Sequence, residues 1–148
     1  MTETEAPPAY AGIVTRGVAF IIDALLIDAA LLVLAGCTAL VLSVLVPDGV
    51  EPGVAGLVAA LGAWGLVGAA YFVAFWTLTG QTAGMRVMHL MVAEATGSRP
   101  RLGRAVIRLV GMWLAAIPLM AGFALILFDG RRQGLHDKLA GTFVRHEV

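Results

Sequence analysis

Arg16-Gly17-Val18-Ala19-Phe20-Ile21-Ile22-Asp23-Ala24-Leu25-Leu26-Ile27-Asp28 opens the longest apolar run of the chain. Over residues 18–46 the only charges are Asp23 and Asp28. A carboxylate at the centre of a bilayer costs at least about 2.5–3.5 kcal/mol. A chain that keeps two of them in such a run uses them or pairs them. Arg16 and Asp23 are almost two helical turns apart. At 1.5 Å and 100° per residue, Asp23 lies about 10 Å deeper than Arg16 on nearly the same helix face. Ala19, Phe20 and Ile27 share that face. Asp28 points well away from Asp23, so the two aspartates form no shared carboxylate pair within one helix. Arg16 either snorkels to the headgroups or turns inward toward Asp23.

Working outward, the whole composition is that of a membrane protein. Of 148 residues, 59% are hydrophobic and only 14% charged, against about 25% charged in a soluble domain. Residues 29–46, 52–85 and 109–128 are three uncharged runs. A helix needs about 20 apolar residues to cross the hydrocarbon core. The fold class expected is an all-α membrane protein with two full transmembrane helices plus a third apolar segment. One membrane domain over residues 11–148 follows a disordered tail over residues 1–10. Glu3 and Glu5, with no basic residue before Arg16, argue against a cleavable signal peptide. The single Cys37 has no intrachain disulfide partner and reads as a small packing residue. Zero net charge argues against nucleic acid as a partner.

The first helix is expected to run from residues 11–15 to about Val46, ended by Pro47-Asp48-Gly49, and the second from about Val54 to Leu78. Arg86, Arg99, Arg101, Arg104 and Arg108 follow the second helix. Cytoplasmic loops collect such residues, so this loop and the N-terminus are read as cytoplasmic. A single span over residues 109–128 would strand Arg131, Arg132, Lys138 and Arg145 outside. Pro118 removes a helix hydrogen bond at mid-segment. A re-entrant hairpin kinked there returns the tail to the cytoplasm, and it is preferred over a single span. Helix two carries small residues (Gly56, Ala60, Ala63, Ala70) at helical spacing, suited to packing on helix one or on a second copy. Trp64, Trp76, Trp113 and Tyr71 read as interfacial anchors or packing residues, and Trp76, at the inner end of helix two, is the better anchor. Residues 85–91 read as an interfacial helix, and residues 87–93 with Arg101-Leu102 as a short hairpin around Thr96-Gly97-Ser98.

These motifs accumulate in order: Arg16 with Asp23, then Gly80-Gln81-Thr82-Ala83-Gly84 with Arg86, then Arg104-Ala105-Val106-Ile107-Arg108. Arg131-Arg132-Gln133-Gly134-Leu135-His136-Asp137-Lys138-Leu139-Ala140-Gly141-Thr142-Phe143-Val144 completes the set. The chain resembles the RDD family of small bacterial membrane proteins over residues 11–147. The resemblance maps the arginine and two aspartates of the family's name onto Arg16, Asp23 and Asp137. Met85 departs from the pattern, where members often carry a basic residue. The resemblance implies a multi-pass domain of the bacterial plasma membrane with a transport-related role. Some members are linked to sodium/proton antiport, and others stand beside or fused to transport machinery.

Two accounts of the polar set follow. In one, Arg16, Asp23 and Asp137 form a buried ion network in an accessory or structural subunit of a membrane transport complex, with Asp137 a bidentate partner of Arg16 if the tail is cytoplasmic. In the other, Asp23 is the cation or proton site of an oligomeric sodium/proton antiporter. Asp28 is a further candidate for a bound or protonated role. Arg99, Arg101, Arg104 and Arg108 are candidates for anionic lipid headgroups. His136 beside Asp137 suggests a dyad, but adjacent helical residues do not face each other, and a cap around Gly134 is preferred. His89 and His146 read as solvated or interfacial. No His/Cys/carboxylate spacing matches a zinc site, and Gly80 to Gly84 lacks the end of a phosphate loop. No nucleophile stands beside a base. The expectation is no enzymatic activity, no metal and no cofactor, with the lipid bilayer and either a homo-oligomer or a hetero-complex as partners.

Overall fold

A computed structural model describes residues 10–46, 53–117 and 121–147. The predicted disordered tail, apart from Tyr10, lies outside them, as do the connector at residues 47–52 and the Pro118 kink. Helix α1 spans Ile13–Leu45 and α2 spans Val54–Leu78. Both are long and apolar enough to cross a membrane. Then come α3 (Ala83–Val87), β1 (Leu90–Glu94), α4 (Leu102–Ala116), α5 (Ala121–Phe128), α6 (Leu135–Ala140) and β2 (Thr142–His146).

The two long helices are packed at one end and bare at the other. In α1 the buried positions are Ala19, Asp23 and Ile27, one per turn on a single face. Beyond Leu31 every described residue of α1 is exposed. In α2 only Phe72 and Trp76 are buried. Around these inner ends sits the core, with Ala11, Met85, Leu90, Val92, Ala105 and Val144. Phe20 stacks on Phe72 with ring centroids 5.7 Å apart, and Phe72 meets Trp76 at 5.4 Å. Trp76 is therefore a core residue, 1% exposed, and not an interfacial anchor.

The base includes a small sheet that an all-α expectation omits. β1 pairs antiparallel with β2, Val92 opposite Val144. The turn expected at Thr96-Gly97-Ser98 forms, the Glu94 N–H donating to the Ser98 carbonyl at 2.9 Å, but Arg101-Leu102 is not its second strand. β1 reaches across the sequence to the C-terminal strand, because Leu90, Val92 and Val144 have more apolar surface to bury together than Arg101-Leu102 could offer. The Ala11 N–H donates to the Val144 carbonyl at 3.0 Å, so the segment entering α1 lies along the outer edge of β2. The interfacial helix expected over residues 85–91 is one short helix, α3, ending before β1.

Gly80 ends α2 in a left-handed conformation (φ 76°), its N–H donating to Phe75 and Trp76 carbonyls, as expected of a glycine past a helix end. Thr82 then starts α3, its hydroxyl accepting from the Met85 N–H. Gly84 is where α3 meets α1: a Cβ there would stand 2.0 Å from the Ala19 carbonyl oxygen. Only the absence of a side chain lets the two backbones touch. Helix α4 starts at Leu102, a full turn and more before the apolar run at residue 109, because Ala105, Arg108, Gly111 and Ala115 form one buried face. Helices α4 and α5 pack against each other, a Cβ on Gly122 falling 2.5 Å from that of Ala115. The small-residue positions of α2 do not pack on α1. Gly56, Ala60, Ala63 and Ala70 are all exposed. Cys37 is likewise exposed.

Candidate functional site: a buried arginine and aspartate clamp

Two elements distant in sequence, α1 and α4, converge with the start of α6 itself on the carboxylate of Asp137. Arg16 of α1 donates from Nη1 to Oδ2 at 2.5 Å. Arg108 of α4 pairs with Oδ1. The Gly134 N–H donates to Oδ2 at 3.1 Å, so Asp137 also caps the start of its own helix. The acid is fully buried and both arginine side chains are nearly so. A carboxylate accepting charge-assisted bonds on both oxygens is the arrangement that makes burial tolerable.

Arg16 uses its entire guanidinium. Nε donates to the Ala11 carbonyl at 3.1 Å and Nη2 to the Arg132 carbonyl at 2.7 Å. Its contact with Asp137 is single, not bidentate, because Arg108 occupies the other oxygen. Arg132 holds its backbone at φ 51°, a region unfavourable for a side chain larger than glycine. That turn is held by Asp129, which accepts from the Arg131 and Gln133 N–H groups at 3.1 Å each. Asp129 is also paired with Lys138 at 2.7 Å. Lys138 and these amides hold the Asp129 carboxyl below its ordinary range. Arg108 also donates to the Thr142 hydroxyl at 3.0 Å, and its guanidinium lies 5.0 Å over the Trp76 ring, a favourable cation–π distance.

Asp23 belongs to a second cluster. Its Oδ1 accepts from the Tyr71 hydroxyl and the Gly84 N–H, both at 2.7 Å, and its Oδ2 from the Thr82 hydroxyl at 2.5 Å. The Tyr71 oxygen in turn accepts the Ala83 N–H at 3.1 Å. The N–H groups of Ala83, Gly84 and Met85, left open at the start of α3, are thus closed by Tyr71, Asp23 and Thr82. Asp23 is the anion at the positive end of that helix. Arg16 turns away from Asp23 toward Asp137, so the expected three-residue network is two separate sites on one face of α1.

Asp28 joins neither. It is exposed and accepts one bond, from the Trp64 indole N–H at 2.9 Å. Of the arginines expected at lipid headgroups, Arg108 is 2% exposed and serves Asp137. Its partner in the tail could not be read from α4 alone. Arg104 contacts Glu94 at 3.5 Å and the Gly141 carbonyl at 3.1 Å, Arg99 donates to the Leu78 carbonyl, and Arg101 is exposed. His89 is exposed and His146 half-buried. His136 is buried, with Nε2 3.6 Å from Asp137 and its ring against Phe123. It does approach its neighbour, because Asp137 folds back to cap the helix. The signals that could have identified Arg108, Tyr71 and Thr82 are weak: two polar residues at the ends of apolar runs and an arginine among five. Among the described residues no group of three or more metal-ligating side chains is present.

Burial by itself would raise the Asp137 carboxyl, but Arg108, the adjacent imidazole and Arg16 hold it at about 2. Burial, Arg108 and Arg16 press His136 down to about 4, against the pull of Asp137. Asp137→Asn leaves two buried guanidiniums without their anion. It should lower the unfolding free energy by about 3–5 kcal/mol, read as a thermal-melt shift in detergent, and an unchanged melt would refute the clamp. His136 is neutral in the folded chain and takes up a proton on unfolding below its ordinary value of 6.5. Its contribution is therefore complete above pH 6.5 and drains away toward pH 4, at up to about 1.4 kcal/mol per pH unit. Acidifying from pH 7 to 4.5 should lower the melting point of the native chain more than that of His136→Gln.

The RDD family model matches residues 10–141. Uncharacterized protein RP437 of Rickettsia prowazekii (strain Madrid E) is 36% identical over 80 residues, covering 53% of this chain and 44% of that protein. The chain thus spans less than half the length of this curated relative. No solved structure matches this chain. With both buried acids held as described and the family model covering nearly the whole sequence, the chain belongs to the RDD family.

Proposed function

We propose that this protein is an accessory or structural subunit of a membrane transport complex in the bacterial plasma membrane, with no enzymatic activity of its own. The observation that carries this reading is that all four oxygens of Asp23 and Asp137 are taken by donors of the same chain. Their work is to join α1, α3, α4 and α6 into one base, and removing a partner from such a buried set is what costs stability. The outer halves of α1 and α2 stay uncovered, which suits helices that bind lipid and other membrane proteins. The transport setting is carried over from the family resemblance.

The topology proposed is two spans and a re-entrant hairpin over α4 and α5, with both chain ends in the cytoplasm. Three contacts support it. Arg16 at the start of α1 meets Asp137 in the tail, β1 after α2 pairs with β2 in the tail, and α4 packs on α5. A tail on the far side of the bilayer could make neither of the first two contacts. This arrangement also places all ten basic residues on one side. A compartment-specific reporter fused to the C-terminus should signal from the cytoplasm, and a periplasmic signal would sink the hairpin.

One observation favours a second reading, an oligomeric sodium/proton antiporter. Asp23 is held by hydroxyls and an amide, and no ion pair among the described residues includes it. The hydroxyl oxygens are ligand types that suit sodium. The two readings separate in liposomes of purified protein. The accessory reading expects no sodium-driven loss of a pH gradient, and a native mass in mild detergent that includes a second, different subunit. Antiport expects the gradient to collapse, and the collapse to vanish in Asp23→Asn. That variant should still fold, since an amide oxygen can accept from Tyr71 and Gly84 while its nitrogen faces Thr82.

A further inference from the structure

Asp28 is the charge that the base does not use. It stands 12 residues beyond Arg16, or about 18 Å along α1, near the middle of a ~30 Å hydrocarbon core. An aspartate is too short to reach either interface from there. Its Oδ1 accepts the Trp64 indole N–H, and no described ion pair includes it. Trp64 is itself 47% exposed. Ionisable side chains within membrane spans face protein or water and are paired there. This one faces outward.

No basic residue of this sequence supplies the counter-charge. Its ten basic residues are Arg16 and nine others from Arg86 onward, so none lies at the depth of Asp28. A second copy in the same orientation brings only another Asp28, like against like. The surrounding surface is exposed and includes small residues among its large ones. Leu32 and Ala35 continue the same face of α1 and are exposed, and Gly68, one turn from Trp64, has open space above it. A helix can approach such a surface closely.

We infer that the Asp28–Trp64 face of α1 and α2 docks a transmembrane helix of a different protein that carries one lysine or arginine at matching depth. That cation takes the oxygen of Asp28 which Trp64 leaves free, while Trp64 fixes the orientation of the carboxylate. The inference rests on the accessory-subunit reading and names the chemistry of the partner.

The test uses the full chain in liposomes, with a donor dye on Cys37. This cysteine is the only one in the sequence, is exposed, and lies nine residues from Asp28, on the opposite side of α1. Acceptor-labelled single-span peptides of leucine and alanine carry either an arginine or a leucine at the centre. The arginine peptide should bind about tenfold tighter or more. Asp28→Asn, which keeps the bond to Trp64 and should leave the melt unchanged, should remove the difference. Asp28→Arg should restore binding for a peptide with a central aspartate. Equal affinities for the first two peptides would overturn the inference, as would an arginine preference that survives Asp28→Asn. Energy transfer between copies of this chain that Asp28→Asn abolishes would also overturn it, making the occupant a second copy. A native particle that keeps its second subunit in Asp28→Asn refutes this inference alone. A particle of this chain only refutes the accessory reading as well.

Discussion

The meeting of Arg16, Arg108 and Asp137 is the constraint on which the rest depends. One carboxylate binds the start of the first long helix, the middle of α4 and the start of α6. The two arginine contacts are not local: Arg16 and Asp137 are 121 residues apart, and Arg108 and Asp137 are 29 apart. Bringing the groups together requires closing most of the chain into a loop, and the pairing holds only because water is excluded around it. In water the same pairs would contribute little. Buried, each charge needs the others, and the loss of one leaves the remainder uncompensated.

From this point the neighbouring geometry follows. Arg16 can spend its other two nitrogens on the Ala11 and Arg132 carbonyls only because Asp137 holds Nη1 in place. The Arg132 carbonyl is presented by a turn with an unfavourable backbone conformation, fastened by Asp129. The tail fixed in this way supplies β2, which receives β1 on one edge and the entry to α1 on the other. Asp23 performs a parallel task nearly two turns along the same face. It closes the open amide end of α3, and Gly84 allows the helix backbones to touch there. One face of α1 is therefore committed to a polar base, and the rest of the helix is committed to nothing within the chain. The proposed docking at Asp28 concerns that uncommitted remainder.

Much of the architecture was legible in advance. The limits of α2, the glycine turn at its end and the approach of Arg16 to the tail all follow from apolar run length, breaker residues and the cost of an unpaired charge. The site was legible at Arg16, Asp23 and Asp137 and illegible at their partners. Arg108 sits in a row of arginines whose composition suggests lipid headgroups. Only the burial of the α4 face reveals that one of them is turned inward. Tyr71 and Thr82 are single polar residues whose meaning depends on which carboxylate lies opposite. The short sheet was missed because its strands are far apart in sequence, and five-residue strands carry no periodicity strong enough to announce a partner.

Sequence by itself determined that two helices must find an apolar medium and that their inner charges must be compensated. Run length and the free energy of burying a charge are properties of the chain taken a segment at a time. Tertiary structure decided which charge answers which: Arg108 for Asp137 in place of a headgroup, α3 for Asp23 in place of Arg16, and nothing for Asp28. The reason is that ion pairing is chosen by proximity and exclusion of water, and both are set by how distant segments pack.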